Sequence, residues 1–480
     1  LVVGGLVLFA PGYVLWSLTA ADVRLPRFVA PTLWLGLSLS LIPIIFLWSS
    51  ILGWRLTTPV LSAQLIGLGL LAFWCWLRAP AWTPPPLWLV IGWGLVLSLV
   101  GLTRILEIRG IVAPLWVDSL HHTLLVRIIG ETGQIPISLE PYLPVDRLRY
   151  HWGYHTIAAM WRGVANLPLL DAVLWSGQIL NALIALVIYG LGAFALRSPR
   201  SGLIAAVVAG LLSLMPAYYV TWGRYTQLTG LLLLPPLLIA SIAVAERPAW
   251  SWRLLWPTAL LLGGLMLIHY RVLVFYGAFM APYTLVLMAR RPRRSGGLIL
   301  RFMVVGGLAA LMIAPWTWEM FQRVLIPYAV APSGLVGSES YNTFNWGLLN
   351  YGNNRVLYVF AAAGTLIALA ARRWRVVAIA GWIGMLFLLA NPTIIGLPAS
   401  WFINNDSVII MVFMPVSILV AYSVNQVAHW LLRWLPLTVR PWARAALVAG
   451  FIGIAGFGTW QLRSVVNQGT ILAQPADKAA

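Results

Sequence analysis

Leu169-Leu-Asp-Ala-Val-Leu-Trp-Ser-Gly-Gln-Ile-Leu-Asn-Ala-Leu-Ile-Ala-Leu-Val-Ile-Tyr-Gly-Leu-Gly-Ala-Phe-Ala-Leu196 carries one charged residue, Asp171. A helix needs about 20 residues to cross a hydrocarbon core of roughly 30 Å, so this stretch spans a membrane with length to spare. Working outward, similar apolar stretches lie at 1–18, 29–52, 59–77, 87–103, 203–220, 229–245, 254–268, 272–289, 298–316, 355–371, 376–390, 408–428 and 445–460, fourteen in all. Composition agrees, with 61% hydrophobic residues, 9% charged and a mean hydropathy of +0.88. These values exclude an ordinary water-soluble enzyme, a nucleic-acid binder and a secreted disulfide scaffold. The expected fold class is all-α: a polytopic transmembrane helix bundle of about 12–14 spans. It is read as a single integral membrane domain, 1–480, with an N-terminal four-helix block (1–103), a large outer loop (104–168), the remaining bundle (169–460) and a tail (461–480).

The formal charge of +19, from 31 Lys and Arg against 12 Asp and Glu, first suggests a polyanionic partner. Sorting it by position gives a membrane explanation. Arginines crowd the short connections 197–202, 246–253, 290–297, 372–375 and 433–444, which are expected on the cytoplasmic side by the bias of basic loops. The same alternation places 22–27 and 78–86 there. Ten of the acids, all but Asp22 and Glu246, and every histidine except His429 then fall on the outer side. That side also carries the sizeable polar loops, 104–168, 216–228, 317–354 and 391–407, and function is expected there. The one cysteine, Cys75, excludes a disulfide within the chain. The chain opens at Leu1, already apolar and without a methionine, so its natural start is expected upstream.

Within 104–168, Pro114 and the pair Gly130 and Gly133 bound an expected helix. Asp118, His121 and His122 stand on it at i, i+3 and i+4, so they are expected to share a face beside an apolar stripe of Val117, Leu120, Leu124 and Ile128. A carboxylate with two imidazoles suits removal of a proton from a hydroxyl, or the holding of a divalent cation such as Mg or Mn by Asp118 and His122. Asp118 interrupts an apolar approach, where a carboxylate without a task is costly. Downstream, Tyr150-His151-Trp-Gly-Tyr-His155 has two histidines at i, i+4. The glutamate of a zinc-peptidase helix is missing, so His151 and His155 are expected to support the Asp118 helix or to anchor it at the interface. Arg224 and Tyr225, then His269, Tyr270 and Arg271 where a long apolar run must turn, and finally Asp406 at the mouth of a span, complete the outer set. Cations of this kind can meet a phosphate while the carboxylate serves an acceptor.

With these residues in view, the chain resembles the GT-C superfamily, the polytopic glycosyltransferases that draw sugar from a polyprenyl-phosphate carrier. The resemblance rests on Asp118-Ser-Leu-His121-His122, Gly133-Gln-Ile-Pro136 and Tyr150-His151-x-Gly-x-His155, and covers about Asp118 to Asp406. Trp222-Gly-Arg224-Tyr225 and His269-Tyr270-Arg271 look like features of uncharacterised bacterial membrane families related to that superfamily. It implies a GT-C-like fold with juxtamembrane helices in the large loop, Asp118 as general base, and a site on the external face of the bacterial cytoplasmic membrane. Two features depart from the superfamily: Ser119 follows Asp118 where an acidic pair is usual, and the loop follows about four spans instead of one. The expected partners are the bilayer, a polyprenyl-phosphate-linked sugar donor and an acceptor, with no nucleic acid. No nucleotide cofactor is expected, since no phosphate-cradling glycine loop is seen. The alternative is a multi-span transporter or flippase for a lipid-linked or anionic solute, and a third class is a non-catalytic assembly partner.

Overall fold

The computed structural model describes residues 2–472 apart from 21–22, 24, 80–84, 146, 149, 248, 327–341 and 399–401. In chain order its helices are α1 (Val2–Thr19), α2 (Ala30–Ile51), α3 (Thr58–Arg78), α4 (Leu87–Glu107), α5 (Val117–Thr132), α6 (Gly153–Ala165), α7 (Leu169–Leu196), α8 (Pro199–Val207), α9 (Tyr218–Thr221), α10 (Tyr225–Glu246), α11 (Trp252–Ile268), α12 (Tyr270–Arg290), α13 (Ser295–Met312), α14 (Ala314–Met320), α15 (Trp346–Leu349), α16 (Asn354–Ala370), α17 (Trp374–Ala390), α18 (Asn405–Ile409), α19 (Phe413–Trp434) and α20 (Arg440–Leu472). No strand occurs among the described residues. Nine helices among them are long and apolar enough to cross a membrane, and five shorter apolar ones account for the rest of the expected spans. The chain is a multi-pass membrane protein. Part of the expected loop 317–354 lies at 327–341, and part of the tail at 473–480, outside the described residues.

The chain divides into two compact units. The first holds 1–84, 112–177 and 222–336, and the second 85–111, 178–221 and 337–480. The expected four-helix block is therefore not a unit: α1, α2 and α3 pack in the first, whereas α4 belongs to the second, against α20 and α8. Packing partners distant in sequence decide this, which hydropathy does not register.

In the first unit α10 is buried along nearly its whole length, while α3, α12 and α13 bury less than half of theirs. An apolar helix surface turned outward is stable where lipid covers it. Gly36 of α2 has no room for a Cβ, which would stand 2.6 Å from the Pro236 ring of α10, so the two backbones lie close. Ser241 Oγ and Tyr276 Oη are 2.9 Å apart and the Tyr283 hydroxyl donates to Glu246 at 2.7 Å, so α10 and α12 run parallel. With α11 returning between them, the chain reverses at a single non-helical residue, His269. This is the turn expected of that long apolar run.

In the second unit α16 and α8 both pack on α19. Here α4 runs four residues past the expected span and buries Arg104 and Glu107, both placed by sequence in the outer loop. The Arg104 guanidinium donates to Asn181 Oδ1 at 2.9 Å, Thr103 Oγ1 at 3.1 Å and the Gly210 carbonyl at 3.1 Å. Hydrogen bonds from all three of its nitrogens are what allow a cation inside a helix bundle.

Candidate functional site

The site is built in the first unit from four segments: α5, the start of α6, the turn before α10 and the reversal at His269. Gly133, left-handed at φ 68°, closes α5 as expected. The start differs. The helix begins at Val117, behind Trp116, whose φ of 76° is a strained conformation for a bulky residue. Asp118 is therefore delivered by a tight bend and not by a proline-started turn.

The three residues expected on one face divide. His122 is 3% exposed and faces inward with Ser119, Leu125, Val126 and Ile129. Asp118 and His121 are exposed, on the side that also presents Val117 and Leu120, 52% and 69% exposed. Helical spacing spreads the trio over about 100° of arc, and α6 buries only one edge of it. Asp118 makes no hydrogen bond or ion pair among the described residues, although its charge acts on His122 and Tyr150.

His122 has both ring nitrogens engaged. Nε2 faces the Gly223 carbonyl at 2.9 Å and Nδ1 faces His155 Nε2 at 2.9 Å. A carbonyl only accepts, so Nε2 carries the proton, Nδ1 accepts, and His155 donates from its own Nε2. Burial pulls His122 down to about 4, against the Gly223 carbonyl and Asp118, which push upward. It is neutral at pH 7. His151, His155 and His269 are also held well below the usual histidine range, burial again leading. The adjacent Arg271 and Arg224 push His269 further down, and His269 and His122 do the same to His151.

Two glycines bring these segments together. Gly223, at φ 61°, turns the chain immediately before Arg224, and a Cβ there would lie 2.8 Å from Ser119 Oγ and 3.2 Å from Asp118 Cβ. The Arg224 turn is thus in van der Waals contact with the helix that carries Asp118. Gly153 opens α6, where a Cβ would stand 2.4 Å from Ile268 Cγ1 and 3.0 Å from the Leu267 carbonyl. That approach lays the His151 ring 4.5 Å from the His269 ring, and His151 Nε2 lies 3.1 Å from Thr226 Oγ1. Tyr150 stacks on His151 at 3.9 Å, Tyr270 on His269 at 5.7 Å, and Tyr225 on Tyr154 at 5.3 Å.

Asp118, His121, His122, His151, His155, Arg224, Tyr225, His269, Tyr270 and Arg271 therefore all belong to the first unit. Asp406 belongs to the second, on the short helix α18, whose Asn404 side chain caps Ser407 N at 3.1 Å. Some polar groups of the site remain unmatched among the described residues. Arg224 Nε, His269 Nδ1 and both amide atoms of Gln227 are buried without a hydrogen-bond partner there. Gln227, 1% exposed, was passed over in sequence as a neighbour of Arg224; only burial reveals that its amide lacks a partner. A cation held by Asp118 and His122 does not fit, because both nitrogens of His122 are already hydrogen-bonded. Among the described residues no three His, Cys, Asp or Glu side chains are grouped to hold a metal ion.

The fold has solved relatives. ArnT from Cupriavidus metallidurans, bound to undecaprenyl phosphate, superposes with a TM-score of 0.50 at 15% identity, over 80% of this chain and 75% of that one. The archaeal oligosaccharyltransferase AglB from Archaeoglobus fulgidus, in complex with an inhibitory peptide and a dolichol-phosphate, gives a TM-score of 0.46 at 12% identity. It covers 78% of this chain and 56% of that one. The fold is GT-C-like, as the sequence resemblance implied. No curated protein matches the chain. A family model described as a family of unknown function (DUF6541) matches residues 5–478.

Proposed function

The chain belongs to the DUF6541 family, a family of unknown function, and from that premise we propose that it is a membrane glycosyltransferase. In this reading it moves a sugar from a polyprenyl-phosphate-linked donor to a lipid, glycan or protein acceptor on the external face of the cytoplasmic membrane. The observation that carries the reading is the seating of Gly223 against Asp118. It puts a carboxylate with no ion pair among the described residues and the turn that delivers Arg224 into one site.

Asp118 takes the proton of the acceptor hydroxyl as its oxygen attacks the anomeric carbon. The bond from that carbon to the phosphate oxygen breaks, and its electron pair leaves on the phosphate, where Arg224 and Arg271 meet the added charge. The four buried histidines are neutral, so the positive charge in this part of the site resides on the arginines. His122 acts on the reaction through Gly223: its Nε2–H holds the carbonyl of the turn, which makes it a positioning residue. Gln227 and the Nδ1 atom of His269 are left to hydrogen-bond the sugar. A lipid-phosphate leaving group is already activated, so positioning and charge stabilisation suffice. The undecaprenyl phosphate bound by ArnT, whose fold is similar, supports a donor of this kind.

The test is the full chain in lipid vesicles with a polyprenyl-phosphate sugar and radiolabelled product detection. Asp118→Asn is expected to lower transfer by roughly 10²–10⁴-fold with unchanged membrane insertion. Undiminished transfer in that variant sinks the assignment, and movement of the lipid across the vesicle without product makes the protein a transporter instead.

A further inference from the structure

A cavity of about 190 Å³ lies in the first unit at the opposite end of α5 and α6 from Asp118 and His155. Phe46, Leu61, Ile129 and Ala159 give it an apolar floor, and Thr58, Arg162 and Asn166 add polar groups. Arg162 stands two helical turns beyond His155 on α6, and its guanidinium passes over Gly130, where a Cβ would come 3.0 Å from Nη1. The side chains of Arg162, Thr58 and Asn166 have no hydrogen bond or ion pair among the described residues. Glu131 also lines the cavity, but its carboxylate is held by Arg127 at 2.9 Å, so that pair cancels and the net charge is the +1 of Arg162.

Two further features point to an anion. Thr58 is the first residue of α3, a helix of 21 residues, so the positive end of that helix's dipole lies at the cavity that Arg162 also lines. A cation, a hydroxyl and an amide together form a donor set suited to a phosphate. Below Thr58, the exposed Ile66, Leu70, Phe73 and Leu77 follow one another at helical spacing and make an apolar track along α3. A free phosphate has no use for such a track, whereas a lipid tail does.

We propose that this cavity binds the phosphate headgroup of an anionic membrane lipid, with its tail along α3, at a site separate from the reacting centre. The bound lipid bridges α3, the end of α5 and the end of α6, and so braces the two helices that meet through His122 and His155.

The full chain, purified in a mild detergent, is examined by native mass spectrometry and thermal unfolding with phosphatidylglycerol, phosphatidylcholine or inorganic phosphate. The wild type is expected to retain and be stabilised by phosphatidylglycerol in preference to phosphatidylcholine. Arg162→Gln is expected to weaken that binding by about tenfold, the scale of one charge-assisted contact. Arg162→Lys, which keeps the charge, should hold most of it, and Thr58→Val provides a second reading should Arg162→Gln fail to fold. Equal retention of the two lipids, or unchanged phosphatidylglycerol binding in Arg162→Gln, overturns the proposal. Stabilisation by inorganic phosphate equal to that by phosphatidylglycerol overturns the lipid assignment.

Discussion

A single hydrogen-bond acceptor decides the chemistry of the histidines. The Gly223 carbonyl requires a proton on His122 Nε2, and the lone pair thereby fixed on Nδ1 requires one on His155 Nε2. Protonating His122 at Nδ1 sets two N–H groups against each other. The sign of the resulting pH dependence follows directly. His122 falls from about 6.5 unfolded to about 4 folded, so the unfolded chain binds more protons between those values and stability drops as pH falls through that window. The slope is expected to approach about 1.4 kcal/mol per pH unit for each histidine so held. Thermal unfolding in detergent at pH 7 and pH 5 checks this, and His122→Gln should lessen the dependence by one histidine's share, with His151, His155 and His269 keeping the rest. That variant should also lower kcat, because His122 works through the turn and not on the acceptor.

At the scale of elements, the site depends on backbone approaches that leave no space for a side chain. Gly223→Ala puts a methyl group against Ser119 and Asp118 in a left-handed conformation, a strain of about 1–3 kcal/mol before any clash is counted. The expected result is a folded protein with transfer reduced at least tenfold, measured in the vesicle assay beside unfolding temperature. Gly153→Ala acts differently, since the Cβ meets the end of α11, and it should lower stability by separating His151 from His269. The strained bend at Trp116 belongs with these contacts: Ser119 N bonds the Trp116 carbonyl at 3.1 Å, so the bend is locked into the first turn of α5.

For the whole molecule, the separation of charge across the chain predicts which loops face outward. Cys75 is the one cysteine and is buried in α3, so a Cys75→Ser background is silent to thiol reagents. In it, Ile137→Cys, at a position 75% exposed, should label with a membrane-impermeant maleimide in intact cells. Leu437→Cys, also 75% exposed, should label only after permeabilisation. The reverse pattern would move the Asp118 side to the cytoplasm and remove the external reading.

The apolar stretches, their turns and the arginine-rich connections were legible in the sequence because lipid imposes a local rule: each span must be long, apolar and internally hydrogen-bonded. The turn at His269-Tyr270-Arg271 was legible for the same reason. Tertiary structure decided what no local rule reaches. It turned His122 inward and left His121 outside, although both stand on the same turn of α5, and it buried Arg104 and Glu107 where a loop was expected. It also divided the first four helices between two units. Each of these depends on which surface a distant segment covers, and composition along the chain holds no record of that partner.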